Sequence, residues 1–252
     1  MADVQETAVD ELLARAVVYC TLSVAFQAPT AHRLTRIGAH DHFSIVTSAL
    51  RRLGLLDAIL EALPASAIDA APQEYWRLFG HTTRGQICPC ETEYGPDNGF
   101  HQPQQLADIS GYYLAFGLRF GVDADVRADH IASECEFMDF LSRKEALLSS
   151  DSGRGVEADE TLEATRQAAR SFLRDHLGRF GCAFGARLAA EDPDGYYGAF
   201  GRVLLMFLQA ECDRLGVRSG AIDLAVRAEV VDDAPMACGS GDELIQIQRR
   251  HP

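Results

Sequence analysis

Positive charge is scarce in this sequence. Its 252 residues carry 23 Lys+Arg against 37 Asp+Glu, a formal net charge of -14. That deficit excludes a non-specific nucleic-acid binder, whose phosphate contacts need a basic surface, and no basic recognition helix stands at either end. An acidic surface suits a partner that carries positive charge. Long apolar runs are missing too. Residues 12–26 are interrupted by Arg15 and are too few to span a bilayer, and the run over 203–208 is shorter still. The opening MADVQETAVDELL is acidic and lacks the basic-then-apolar order of a secretory signal. The 7 cysteines, an odd number, are scattered as Cys20, Cys88, Cys90, Cys135, Cys182, Cys212 and Cys238, so no disulfide framework is expected. These absences predict a cytoplasmic protein with reduced thiols and no membrane insertion.

Catalytic signatures are equally thin. There is no G-x-G-x-x-G after a strand, no P-loop, no H-E-x-x-H and no serine in a nucleophile elbow, so no cofactor is expected. Period-2 alternation is absent. Helical periodicity fills the space: helices are predicted over 9–26, 43–63, a short one from Pro72 to about Gly80, then 104–120, 130–148, 160–188 and 196–215. Asp129 is expected to cap the 130–148 helix, Pro72 to open the short one, and SSDSGRGVEADE to be a flexible connector. The expectation is an all-α helical bundle over 1–222, with a larger N-terminal part (1–126) and a smaller C-terminal part (127–222) joined by a hinge. Residues 223–252 read as a loosely held tail. Glu134, Glu136 and Asp139 read as a solvated face of their helix, and the pairs Tyr112-Tyr113 and Tyr196-Tyr197 as core and rim.

The most specific local feature is YWRLFGHTTRGQICPCETEYG, residues 75–95. Tyr75, Leu78 and Phe79 recur at i, i+3, i+4 and share one helix face. A stripe of this kind serves equally as ordinary core packing. The Gly/Pro-rich loop that follows sets Pro89, Glu91, Glu93 and Tyr94 beside it, and long loops of this composition are commonly functional. An apolar ledge bordered by carboxylates would suit a peptide with paired arginines followed by an apolar stretch, since the guanidinium fork matches a carboxylate. A second polar pair, Asp129-His130, is placed to accept from an arginine and to hydrogen-bond backbone or ligand. Cys88 and Cys90 form C-P-C, a spacing shorter than most zinc or iron–sulfur ligation uses. With Cys238, His81 or His101 they would define the competing reading, a small metal- or thiol-dependent enzyme.

Together these features resemble the TorD/DmsD/NarJ-type family of molybdoenzyme assembly chaperones. The family pattern runs aromatic, two residues, Leu-Phe, a spacer, Gly, then Pro-x-Glu-x-x-Tyr, and Tyr75, Leu78, Phe79, Gly85, Pro89, Glu91 and Tyr94 match it. A second family motif, Glu-Pro-Asp-His, is matched here only by Asp129 and His130, after Arg127-Ala128. The helix IASECEFMDFLSRKEA and the stretch FLRDHLGRF (172–180) are also family-like. The resemblance implies no catalysis of its own. It implies binding of the apo catalytic subunit of a molybdenum-containing oxidoreductase, of its twin-arginine signal peptide, or of both, until the cofactor is inserted. Tyr75, Leu78, Phe79, Pro89 and Tyr94 would then meet the leader's apolar part, Glu91 and Asp129 its arginines, and His130 backbone or ligand. The wording C-P-C-E-T-E-Y-G is closest to the branch serving nitrate-reductase-like type II enzymes. A monomer or a domain-exchanged dimer is compatible with a hinge.

Overall fold

The computed structural model describes residues 2–55, 65–80, 86–95, 101–120, 126–151 and 155–227. Among them the chain is helical, with isolated bridges in place of any sheet. The helices are α1 (Ala2–Phe26), α2 (Ala31–Gly38), α3 (His40–Arg52), α4 (Ala65–Phe79), α5 (His101–Ala115), α6 (Ile131–Ser150), α7 (Val156–Phe172), α8 (Gly178–Glu191) and α9 (Tyr196–Leu215). A 3₁₀ turn covers Glu91–Glu93, and a π turn, Leu173–Leu177, links α7 to α8.

The N-terminal helix is central because apolar residues ring its middle. Ala16, Val18, Tyr19, Leu22 and Phe26 are all buried. It lies along α6 and also touches α2, α3 and α9. Tyr19 meets Phe207 of α9 edge-on at 4.7 Å, and Phe26 meets Phe184 of α8 at 5.2 Å. A second aromatic nucleus joins α5, α6 and α7 through Tyr113, Phe137 and Phe172, with Phe137 and Phe172 4.8 Å apart. The α8–α9 pair is unusually close. A Cβ on Gly185 would lie 2.6 Å from the Gly201 carbonyl, and one on Gly201 would lie 2.7 Å from the Gly185 carbonyl. The glycines that weaken helix propensity in 160–188 are what allow these two backbones to touch.

Several boundaries differ from expectation. Pro29 does close α1, but Thr30 at once caps α2, its hydroxyl accepting from the Arg33 N–H. The helix predicted to reach residue 63 ends at Arg52, where Gly54 takes φ 70; residues 56–64 lie outside the described ones. Pro72 is inside α4 instead of opening it. The missing N–H there is offset by the burial of Ala71, Leu78 and Phe79 on the same helix. Within the expected connector, Ser149 and Ser150 still belong to α6, and α7 already begins at Val156. The tail is not loose throughout: up to Arg227 it is tied by hydrogen bonds, and residues 228–252 lie outside the described ones.

Candidate functional site

Residues 86–95 return from α4 toward the middle of the bundle. Gly80, at φ 69, ends α4, and the Ile87 N–H donates back to the Leu78 carbonyl at 2.8 Å. From Ile87 to Gly95 every residue is buried. Such a buried loop must find partners for its backbone. It finds them in the corner before α6. The Glu91 N–H donates to the Asp129 carbonyl and the Ile131 N–H donates to the Pro89 carbonyl, both at 2.8 Å, and Cys90 faces His130 as an antiparallel bridge. The Tyr94 hydroxyl donates to the Cys88 carbonyl at 2.8 Å. The two motifs singled out in the sequence are therefore one structural unit.

Its carboxylates are satisfied from within. Arg179 of α8 donates to Glu91 Oε1 from Nη2 at 2.7 Å and from Nε at 3.1 Å, while His176 Nδ1 lies 3.0 Å from Oε2. Asp129 Oδ2 accepts from the Thr92 N–H and hydroxyl and from Arg127 Nη2, and Oδ1 accepts from Arg127 Nε at 2.9 Å. Both carboxylates are fully buried, which demands charged or hydrogen-bonding partners. Arginines of this chain thus stand where the sequence reading placed arginines of a leader. The wide π turn lets His176 and Arg179 reach the same carboxylate. It also needs its glycine, since a Cβ on Gly178 would lie 2.4 Å from the Leu173 carbonyl.

Asp129 is not the cap of α6. His130 is: its Nδ1 accepts from the Ala132 N–H at 3.1 Å. Burial, with the Arg127 charge second, pushes the His130 ring down to about 4, so the neutral ring that can accept is the one present. Beside it, Glu134 is fully buried, which corrects its reading as part of a solvated face; Glu136 is exposed and Asp139 half-buried. Burial pushes the Glu134 carboxyl well up, and the Glu91 and Asp129 charges push the same way against the Arg179 charge. Neither Glu134 oxygen has a hydrogen-bond partner among the described residues, so the neutral carboxyl is the form this buried position favours. Because the folded chain holds this proton above pH 4.5 and the unfolded chain releases it, Glu134 makes stability fall as pH rises from there. Glu134→Gln, which keeps a neutral donor, is expected to raise the thermal midpoint at pH 7–8 and to flatten that slope in melts between pH 5 and 8.

The apolar stripe lies inside the bundle. Leu78 and Phe79 are buried and Tyr75 is half-buried. Phe79 packs edge-on to Tyr197 at 5.2 Å and near Phe184 at 6.1 Å, so α8 and α9 cover the face expected to be a ledge. In this conformation Leu78, Phe79, Pro89, Glu91, Tyr94, Asp129 and His130 present no surface for a peptide. Cys88 and Cys90 are buried as well, the Cys88 thiol 4.0 Å from the Cys90 carbonyl. A hydrogen bond between the two thiols lowers Cys88 and, with burial, raises Cys90. Cys238, His81 and the His101 side chain lie outside the described residues, among which no group of three or more His, Cys, Asp and Glu is placed to hold a metal. No helix among them is long and apolar enough to cross a membrane.

An open surface adjoins this unit. Between the end of α1, the residues after α5 and the first half of α6 runs a groove of about 640 Å³, floored by Leu118, Phe120, Val126, Phe137 and Phe140, with Glu136, Asp139, Arg33, Arg119 and Arg143 on its wall. A smaller recess of about 260 Å³ continues toward α2 and shares Gln27, Arg33, Glu136 and Asp139 with it. The motif unit supports the groove directly. The Tyr113 hydroxyl donates to the Ala128 carbonyl and the Ser133 hydroxyl to the Arg127 carbonyl, and Tyr113 and Ser133 both line the groove. Arg127, Thr92, His176, Arg179 and Glu134 were not among the expected site residues. FLRDHLGRF did cover the π turn and the start of α8, which carry His176 and Arg179, and Glu134 shares α6's buried face with Met138 and Leu141 at helical spacing.

Compared with known proteins, residues 41–185, more than half of the chain, match the family model described as the nitrate reductase delta subunit. Neither a curated protein nor a solved structure matches the chain.

Proposed function

We propose a function from one premise: the chain belongs to the nitrate reductase delta subunit family, a family of molybdoenzyme assembly chaperones. On this reading the protein acts in the cytoplasm on the apo catalytic subunit of a molybdenum-containing oxidoreductase of the nitrate-reductase-like type II group. It binds the twin-arginine leader and holds the subunit until the cofactor is inserted. It is a binding protein, not a catalyst.

The observation that carries the reading is the contrast between a sealed motif and an open groove. Glu91, Asp129 and the aromatic stripe are engaged inside the bundle, while Phe120 is 42% exposed at the mouth of an apolar channel. A leader's apolar stretch would lie on Phe120 and Phe140, with a basic residue toward Glu136, since Arg143 already holds Asp139 at 2.6 Å. Tyr75, Leu78, Phe79, Pro89, Glu91, Tyr94, Asp129 and His130 would then serve the leader by fixing the corner that shapes the groove floor.

Burying one phenylalanine is worth about 1.5–3 kcal/mol, so Phe120→Glu is expected to weaken a synthetic twin-arginine leader peptide by at least about tenfold. Leu114→Glu, at a residue 58% exposed and outside the groove lining, is the control. Fluorescence anisotropy with the full chain measures both. Wild-type affinity in Phe120→Glu, with the fold intact by circular dichroism, would remove the groove from the reading.

A further inference from the structure

Beyond α9 the chain crosses back over the motif loop as a strap, residues 217–227. Its root is built in. The Gly220 N–H donates to the Gly178 carbonyl at 2.8 Å, and a Cβ on Gly220 would lie 1.9 Å from the Arg179 carbonyl oxygen, so only glycine passes there. The arm that follows is held differently. The Gly95 N–H donates to the Ala225 carbonyl at 2.9 Å and the Arg227 N–H to the Glu93 carbonyl at 2.7 Å, which makes Tyr94 and Val226 an antiparallel bridge. Arg187 Nη2 donates to the Leu224 carbonyl at 3.2 Å. Arg227 donates from Nη2 to Gln105 Oε1 at 2.9 Å and from Nε to the Tyr94 carbonyl at 3.3 Å.

These contacts engage the arm's backbone and one guanidinium. Any extended segment with an arginine in the same place would make them, which is how a peptide adds to a sheet edge. Ala221, Ile222, Asp223, Ala225 and Val226 are exposed, so the arm itself buries little apolar surface. Beneath it the reverse holds: Glu93, Tyr94 and Gly95 are buried. Lifting the arm would uncover the Gly95 N–H and the Glu93 carbonyl that it now engages, the hydrogen-bonding positions of a short edge. Nor is the arm's arginine a complete fit, because its buried Nη1 has no hydrogen-bond partner among the described residues. Gln105, which receives the arginine, also lines a shallow depression with Asp108, whose carboxylate lies 3.3 Å from His176 Nε2.

We propose that the edge formed by residues 93–95 is a docking site for an extended, apolar, arginine-bearing segment of the client's catalytic subunit, and that residues 224–227 occupy it as a releasable stand-in. The arm itself supplies the occupant's chemistry: backbone pairing at positions 225 and 227, a half-buried apolar side chain at Leu224, and a guanidinium against the Tyr94 carbonyl and Gln105. The net charge of -14 favours a basic occupant. The inference rests on the family reading only for the existence of a client; the leader groove shares no lining residue with this edge.

The test uses the full chain and a labelled synthetic peptide of residues 221–228, AIDLAVRA, as probe. Arg227→Pro removes the arm's N–H donor and its guanidinium and leaves the root at Gly220. The variant is expected to bind the probe at least about tenfold tighter than wild type, and a probe with glutamate in place of its arginine is expected to lose that gain. Short overlapping peptides of the catalytic subunit that co-purifies with the chain are expected to include one that displaces the probe. Equal probe affinity in wild type and variant, indifference to the arginine, or no displacing peptide overturns the proposal. A dimer of the variant on gel filtration assigns the edge to a second copy and overturns it too. Should Arg227→Pro fail to fold, hydrogen exchange in the wild type decides: the Gly95 amide is expected to exchange at least about tenfold faster than the interior amides of α9, and equal protection overturns the arm's release. Phe120→Glu is expected to leave probe binding unchanged, so the groove and the edge fail separately.

Discussion

Replacing Glu91 by alanine is expected to cost about 3–5 kcal/mol of stability, the loss seen when one partner of a buried ion pair is removed. The reason is the number of groups that converge on this carboxylate. Arg179 reaches it with two nitrogens and His176 with a third. Deleting the carboxylate leaves the Arg179 guanidinium without its counter-charge and takes an acceptor from His176. Glu91→Gln keeps the shape and one acceptor oxygen but no charge, and is expected to lose less than Glu91→Ala. Urea unfolding monitored by circular dichroism reads both. Loss of less than about 1 kcal/mol in the alanine variant would be the size of an ordinary surface substitution and would show that the network does not hold the loop to α8.

How much of this was legible in the sequence depends on the range of the contact. The long periodic helices were: α6 and α9 fall within a few residues of their expected bounds, because apolar spacing repeats over several turns. The α2 helix was not read, because it is only eight residues long and offers too few turns for its period to stand out. The π turn left no local signature apart from a glycine. The i, i+3, i+4 spacing of Tyr75, Leu78 and Phe79 identified one face correctly. It could not say what covers that face, since a helix of the same chain and a foreign peptide demand the same apolar stripe. The ion pairs were further out of reach. Glu91 and Arg179 lie 88 residues apart in the sequence, and no periodicity links them. Glu134 was within reach and was misread, because a carboxylate on a buried face makes sense only once its neighbours hold it protonated.

Acid should weaken this protein through His130 well before most carboxylates titrate. In the unfolded chain the imidazole takes its proton near pH 6.5, but the folded environment pushes it down to about 4. Between those values the unfolded state binds a proton that the folded state refuses, so this contribution is complete above pH 6.5 and is lost as pH falls through about 4. A separation of that size corresponds to about 3 kcal/mol. Protonation also abolishes the cap itself, since an imidazolium Nδ1 can no longer accept from the Ala132 N–H. His130→Asn supplies a capping oxygen without a titrating group and is expected to flatten the stability profile between pH 6.5 and 4. His130→Ala should flatten it as well while losing the cap at every pH, at a cost of about 1 kcal/mol. Glu134 acts with the opposite sign, destabilising the fold as pH rises above 4.5, so the two slopes partly cancel in the wild type. The His130 effect is therefore expected to be steepest in a Glu134→Gln background. Urea midpoints taken at half-unit steps from pH 4 to 7 in that background check it: a slope that survives His130→Asn unchanged would place the acid sensitivity somewhere other than this cap.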